Sequence, residues 1–147
     1  MTVRFHSIVS RIYPVIAGCI FLGLGAVTLI HPEILGYYAI NLDQPSARTA
    51  VRAMIGGGEI GIAFILLLGG YMALSSRQRS LIAAVIFIFV GLSRLLGAYV
   101  EEIDQLTIQP FREAAIEITL GALGFWAARC SDAGLAGGHV SYSDDTD

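Results

Sequence analysis

The chain has 147 residues, of which 55% are hydrophobic and 14% are charged, and its mean hydropathy is +0.70. A soluble domain of this length needs a polar surface that this composition does not supply, so we expect an integral membrane protein with a single domain. The formal net charge of −3 argues against a nucleic-acid partner, because nucleic-acid-binding proteins carry a basic surface.

The first predicted element is a membrane helix over residues 12–30. Arg4 and Arg11 precede it, as in a signal peptide, but the apolar run is long for one and no small-residue cleavage site follows it. The motif "HPE" at residues 31–33 then ends the helix. We therefore expect this segment to remain as the first membrane span.

Three further apolar runs follow, over residues 50–74, 81–100 and 111–128. Each has roughly the 20 residues that a helix needs to cross about 30 Å of hydrocarbon. The polar segments "NLDQPS", "SSRQRS" and "EEIDQLTIQP" precede them in turn. Many of the 17 glycines lie in the apolar runs, where they allow helix backbones to approach closely in lipid.

These elements predict an all-α fold, an integral membrane four-helix bundle with short loops over residues 1–130. The tail over residues 131–147 is rich in Gly, Ser and Asp, which is typical of a disordered segment.

Five arginines lie near span ends on one side, whereas the opposite loops are mostly acidic, with Arg48 near one edge. We therefore expect a multi-pass protein of the cell membrane with both termini in the cytoplasm. The five arginines are Arg4, Arg11, Arg77, Arg79 and Arg129, and the acidic residues are Glu33, Asp43, Glu101, Glu102 and Asp104.

Charged residues also lie within the predicted spans, and their depths can be compared at about 1.5 Å per residue. Arg94 lies roughly 9 Å from the outer end of the third span, and Glu117 about 9 Å from the outer end of the fourth. Glu59 lies about 10 Å beyond Arg52 in the second span, and their spacing of seven residues predicts a shared helical stripe. Because a charge at membrane depth costs on the order of 3 kcal/mol, we expect Arg94 to pair with Glu59, Glu113 and Glu117 in the outer half of the bundle.

Three segments, "VRAMIGGGEIGIAF", "GLSRLLGAYVE" and "PFREAAIEITLGALGFW", carry a family resemblance. Together they resemble the four-helix membrane family called domain of unknown function 4345, which is distantly similar to small membrane proteins of the DoxX type. The likeness spans residues 12–128. It implies the four-helix membrane fold and no agreed activity. The matching positions are Arg52, residues 57–59, residues 94–97, and Glu113 or Glu117.

Two functional interpretations fit these charges. The first is an enzyme or binding protein acting on a lipophilic small molecule, in which one buried carboxyl group stays protonated as a general acid while an arginine keeps another ionised. Glu59 and Glu117 are then the candidate catalytic acids, and Arg52, Arg94 and Glu113 form the ion network. The second is a structural or accessory subunit, in which the charges only fix helix packing.

Other classes fit less well. A proton-coupled carrier is disfavoured because four short helices contain no inverted repeat, although a dimer could form one. A metal site is disfavoured because Glu113 and Glu117 lack the Glu-x-x-His companions of carboxylate-bridged metals, and we expect no cofactor. The expected partners are the lipid bilayer and a lipophilic small molecule, and a homo-oligomer is an open alternative.

Overall fold

The computed structural model describes residues 2–38, 42–100 and 108–136, with side chains described over 8–38, 42–100 and 108–131. Within these ranges the chain is helical and contains no strand, so the all-α prediction is confirmed. The acidic positions 101, 102 and 104 and residues 137–147 of the predicted tail lie outside the described residues, as does the side chain of Arg4. The α-helices are α1 (Thr2–Ile30), α2 (Pro45–Val51), α3 (Gly58–Leu68), α4 (Ser76–Val100) and α5 (Gln109–Ala136).

Short helical turns of other types join these elements. Pro32–Tyr38 and Gly69–Met72 are 3-10 helices, and Arg52–Gly57 is a π-helical turn that connects α2 to α3 without a break. The chain divides into two compact units, one formed by Met1–Tyr13 with Ser75–Asp147 and the other by Pro14–Leu74. The first unit therefore contains α4 and α5, and the second contains most of α1 with α2 and α3.

Three helical stretches among the described residues are long and apolar enough to cross a membrane: Ile8–Ile30, Pro45–Met72 and Ser76–Val100. They match the first three predicted spans, and each begins four or five residues earlier than predicted. Helix α5 is not among them, and its first three turns carry Arg112, Glu113 and Glu117. The fourth span therefore stays a prediction.

The start of α4 is fixed by a capping box that the sequence analysis assigned to a loop. The backbone N–H of Ser75 donates to Gln78 Oε1 at 2.8 Å, and the N–H of Gln78 donates to Ser75 Oγ at 3.2 Å. This reciprocal pair satisfies two donors that an uncapped helix leaves open. At the other end of the unit, α5 continues to Ala136, so residues 131–136 of the predicted tail are helical.

Helices α4 and α5 pack antiparallel through small residues in the first unit. A Cβ atom built on Gly121 would lie 2.5 Å from Ile88 Cγ1 and 3.0 Å from the carbonyl oxygen of Ala84. A Cβ atom on Gly91 would lie 3.1 Å from the carbonyl oxygen of Ala114. The two backbones approach each other at both levels, as small residues permit in helix pairs.

The second unit contains a similar contact between α1 and the π-helical turn. A Cβ atom on Gly25 would lie 2.8 Å from the carbonyl oxygen of Gly56, and Arg52 Nε donates to the carbonyl oxygen of Leu29 at 3.0 Å. A π-helical turn bonds i to i+5 and takes more residues than an α-helical turn. The spacing of 3.6 residues per turn, on which the predicted shared stripe of Arg52 and Glu59 depended, therefore does not hold between them.

Candidate functional site

The Arg94 cluster consists of Arg94 on α4 with Glu113 and Glu117 on α5. Arg94 Nη1 lies 2.7 Å from Glu113 Oε2, and Arg94 Nε donates to Glu117 Oε1 at 2.8 Å and to Oε2 at 3.0 Å. The two glutamates are four residues apart, so they project from the same face of α5 one turn apart. One guanidinium therefore holds two carboxylates at once.

The close approach of the two helices positions this cluster. Gly91 precedes Arg94 by about one turn, and a Cβ atom on Gly91 would lie 3.3 Å from Glu117 Cβ. A larger residue at Gly91 would push α5 away, and the short side chain of Glu117 would no longer reach the guanidinium in the same geometry. Gln109 adds a weak contact, since its Nε2 donates to Glu113 Oε1 at 3.4 Å.

The ion pairs of the cluster are partly buried. The side chains of Arg94 and Glu113 are 30% and 17% exposed, and that of Glu117 is 15% exposed. Charges this far removed from solvent interact more strongly than a surface pair, which contributes about 0–1 kcal/mol. With both carboxylates ionised the cluster carries a net charge of −1. A single proton or a bound cationic group brings it to neutrality.

A groove on α4 opens beside the cluster. Its volume is about 430 Å³, and it is lined by Phe89, Val90, Ser93 and Arg94. The groove is a shallow, open depression on the surface of one helix. The groove combines two apolar side chains with a hydroxyl group and the guanidinium that also binds the carboxylates. Ser93 and Gln109 were not among the predicted site residues, although both are polar and lie near residues that were predicted.

Three of the five predicted site residues lie together in the first unit, and Arg52 and Glu59 belong to the second unit. Two of the three predicted partners of Arg94 thus contact it within its own unit. Arg52 binds the last turn of α1 through the carbonyl oxygen of Leu29, where a basic side chain also complements the helix dipole. Glu59 Oε2 is buried and has no hydrogen-bond partner among the described residues. The roles of both residues stay predictions.

A comparison with protein families matches residues 9–128 to the family described as "Domain of unknown function (DUF4345)". The chain belongs to the DUF4345 family. The match confirms the resemblance drawn from the three sequence segments, and it includes all four predicted spans and every residue of the Arg94 cluster. No curated protein and no solved structure matches this DUF4345 chain. The predicted distant kinship with proteins of the DoxX type stays a prediction. The function proposed below therefore rests on the geometry of the site.

Proposed function

We propose that this DUF4345 chain is a multi-pass protein of the cell membrane with four spans and both termini in the cytoplasm. Three spans correspond to its apolar helices. The fourth is α5, whose charges argue against insertion when they are counted alone. Arg94 offsets them in part, because it forms ion pairs with both Glu113 and Glu117. Inserting α4 and α5 as a pair therefore costs less than the hydropathy of α5 indicates.

Within that membrane protein, we propose that the Arg94 cluster and its groove bind a lipophilic small molecule. The observation that supports this most directly is that one guanidinium both holds two carboxylates and lines the groove. Phe89 and Val90 offer an apolar surface, and Ser93 with Arg94 offers donors for a carbonyl or hydroxyl oxygen of the ligand. A ligand with an apolar body and one polar group fits this arrangement.

We further propose that the Arg94 cluster carries out acid–base chemistry on the bound ligand. The cluster holds one cation and two carboxylates, so it reaches neutrality by binding one proton, and that proton would lie beside the groove. We assign Glu117 as the carboxylate that would accept this proton from the ligand, since Glu117 pairs with Arg94 next to the groove. Glu59 is the second candidate acid, because its buried oxygen without a partner suits a hydrogen bond to a ligand.

Filling the groove tests the binding proposal. Ser93→Trp should abolish copurification of an apolar molecule that wild-type protein retains, as measured by mass spectrometry of the purified membrane protein. Leu123→Trp is the matched control, because Leu123 is an exposed residue on α5 that does not line the groove. If both variants retained the molecule as wild-type protein does, the groove would not be its binding site.

The alternative is a structural or accessory subunit, and one observation favours it. The ion pairs lie one turn from the close contact between Gly91 and Ala114, so they also fix the packing of α4 on α5. The isosteric Glu117→Gln change separates the two functions, because an amide keeps hydrogen bonds but cannot transfer a proton. Full complementation of a knockout strain by folded Glu117→Gln protein would favour the structural function.

A further inference from the structure

A second groove runs along α5 on residues that the Arg94 cluster does not use. Its volume is about 350 Å³, and its lining residues are Arg112, Ala115, Ile116, Thr119 and Leu120. Their spacing of three and four residues places them on one face of the helix. All except Leu120 are exposed. No described side chain covers this face.

The charge distribution along this α5 groove is uneven. Arg112 lies at one end, and the other four lining residues are uncharged. No ion pair involves Arg112 in the part of the chain that the structure describes, whereas the neighbouring Glu113 is paired with Arg94. The hydroxyl of Thr119 donates to the carbonyl oxygen of Ala115 at 2.7 Å, so its polar group is satisfied within the helix. The groove therefore presents one cation followed by an apolar surface.

The length and depth of the groove match one leaflet of a bilayer. Arg112 and Leu120 are eight residues apart, which is about 12 Å along the helix axis, and the hydrocarbon of one leaflet is about 15 Å thick. Arg112 lies in the first turn of α5. If α5 begins at the membrane surface, Arg112 lies at the depth of the lipid headgroups and the apolar residues lie beside the acyl chains.

We propose that the α5 groove binds an anionic phospholipid, with its phosphate on Arg112 and one acyl chain along Ala115, Ile116, Thr119 and Leu120. This inference rests on the proposed function, because it requires α5 to span the bilayer. A guanidinium binds phosphate through two parallel hydrogen bonds, so an arginine suits this headgroup. A zwitterionic lipid matches the cationic end less well, because its own ammonium group competes for the phosphate.

Lipid binding can be measured on the full-length protein in vesicles of phosphatidylcholine with and without phosphatidylglycerol. Native mass spectrometry of protein released from these vesicles should show retained phosphatidylglycerol. Arg112→Gln should lower the apparent affinity for this lipid about fivefold, the effect of one basic residue near an anionic surface. Thr119→Trp should lower it as well, because the indole would occupy the path of the acyl chain.

Arg129→Gln is the matched control, since Arg129 is an exposed arginine near the other end of α5 and its loss changes the net charge equally. It should leave the preference for phosphatidylglycerol at its wild-type value. Equal and additive effects of Arg112→Gln and Arg129→Gln would overturn the proposal, and so would retention of a second protein chain in place of lipid. If the protein floats with the vesicles but shows no preference for phosphatidylglycerol, the groove site alone is rejected. Failure to float would reject the membrane function itself.

Discussion

Arg94→Leu is expected to lower the free energy of unfolding by about 3 kcal/mol, because it leaves Glu113 and Glu117 partly buried without their cation. Removing one partner of a buried ion pair costs more than removing the whole pair, since an uncompensated charge remains. The measurement is reversible unfolding of the purified protein in detergent or in nanodiscs, followed by loss of helicity.

Two controls identify the cause of that loss. Adding Glu113→Gln and Glu117→Gln to Arg94→Leu should recover part of the stability, because neither amide carries a charge. Arg112→Leu removes an arginine that makes no ion pair among the described residues, and it should leave stability close to that of wild-type protein. If the triple variant were no more stable than Arg94→Leu alone, unpaired carboxylates would not explain the loss.

Gly121→Leu is expected to destabilise the protein by about 2–3 kcal/mol through overpacking of α4 against α5. The first atom of the new side chain would lie 2.5 Å from Ile88 Cγ1 and 3.0 Å from the carbonyl oxygen of Ala84. Ile88 can change rotamer, but the backbone of Ala84 moves only if the two helices separate. The same unfolding measurement reports this change.

Gly97→Leu provides the matched comparison for Gly121→Leu. A Cβ atom on Gly97 has no heavy atom within 4 Å, so leucine fits there, and it has a higher helix propensity than glycine. We expect Gly97→Leu to be neutral or slightly stabilising. Equal losses at Gly97 and Gly121 would show that the close contact between α4 and α5 is not the cause.

Sequence reasoning predicted those features that depend on apolar length and on helix rise. Three apolar runs became three long apolar helices, because an apolar run of about 20 residues leaves few alternatives to a helix. The contacts of Arg94 with Glu113 and Glu117 were predicted from the depth of each charge in the membrane. Depth was sufficient here because the short connection between α4 and α5 makes these helices antiparallel neighbours. The number of residues from each helix end then sets the level of each charge.

Other features depended on local geometry that cannot be predicted from a uniform spacing of 3.6 residues per turn. The π-helical turn Arg52–Gly57 lies in a glycine-rich segment whose packing against α1 favours close backbone contact over regular hydrogen bonding. The capping box of Ser75 and Gln78 lay within six polar residues that were interpreted as a loop. The two grooves were not predicted, because they depend on which side chains remain uncovered after packing.

The fourth span determines the depth in the membrane of both the Arg94 cluster and the α5 groove. Reporter fusions placed after Gln105 and after Ser131 test this span, since the predicted segment over residues 111–128 separates these positions. We expect the two reporters to lie on opposite sides of the membrane, with the fusion after Ser131 in the cytoplasm together with a fusion after Ser76. Reporters after Gln105 and Ser131 on the same side would show that α5 does not cross the bilayer.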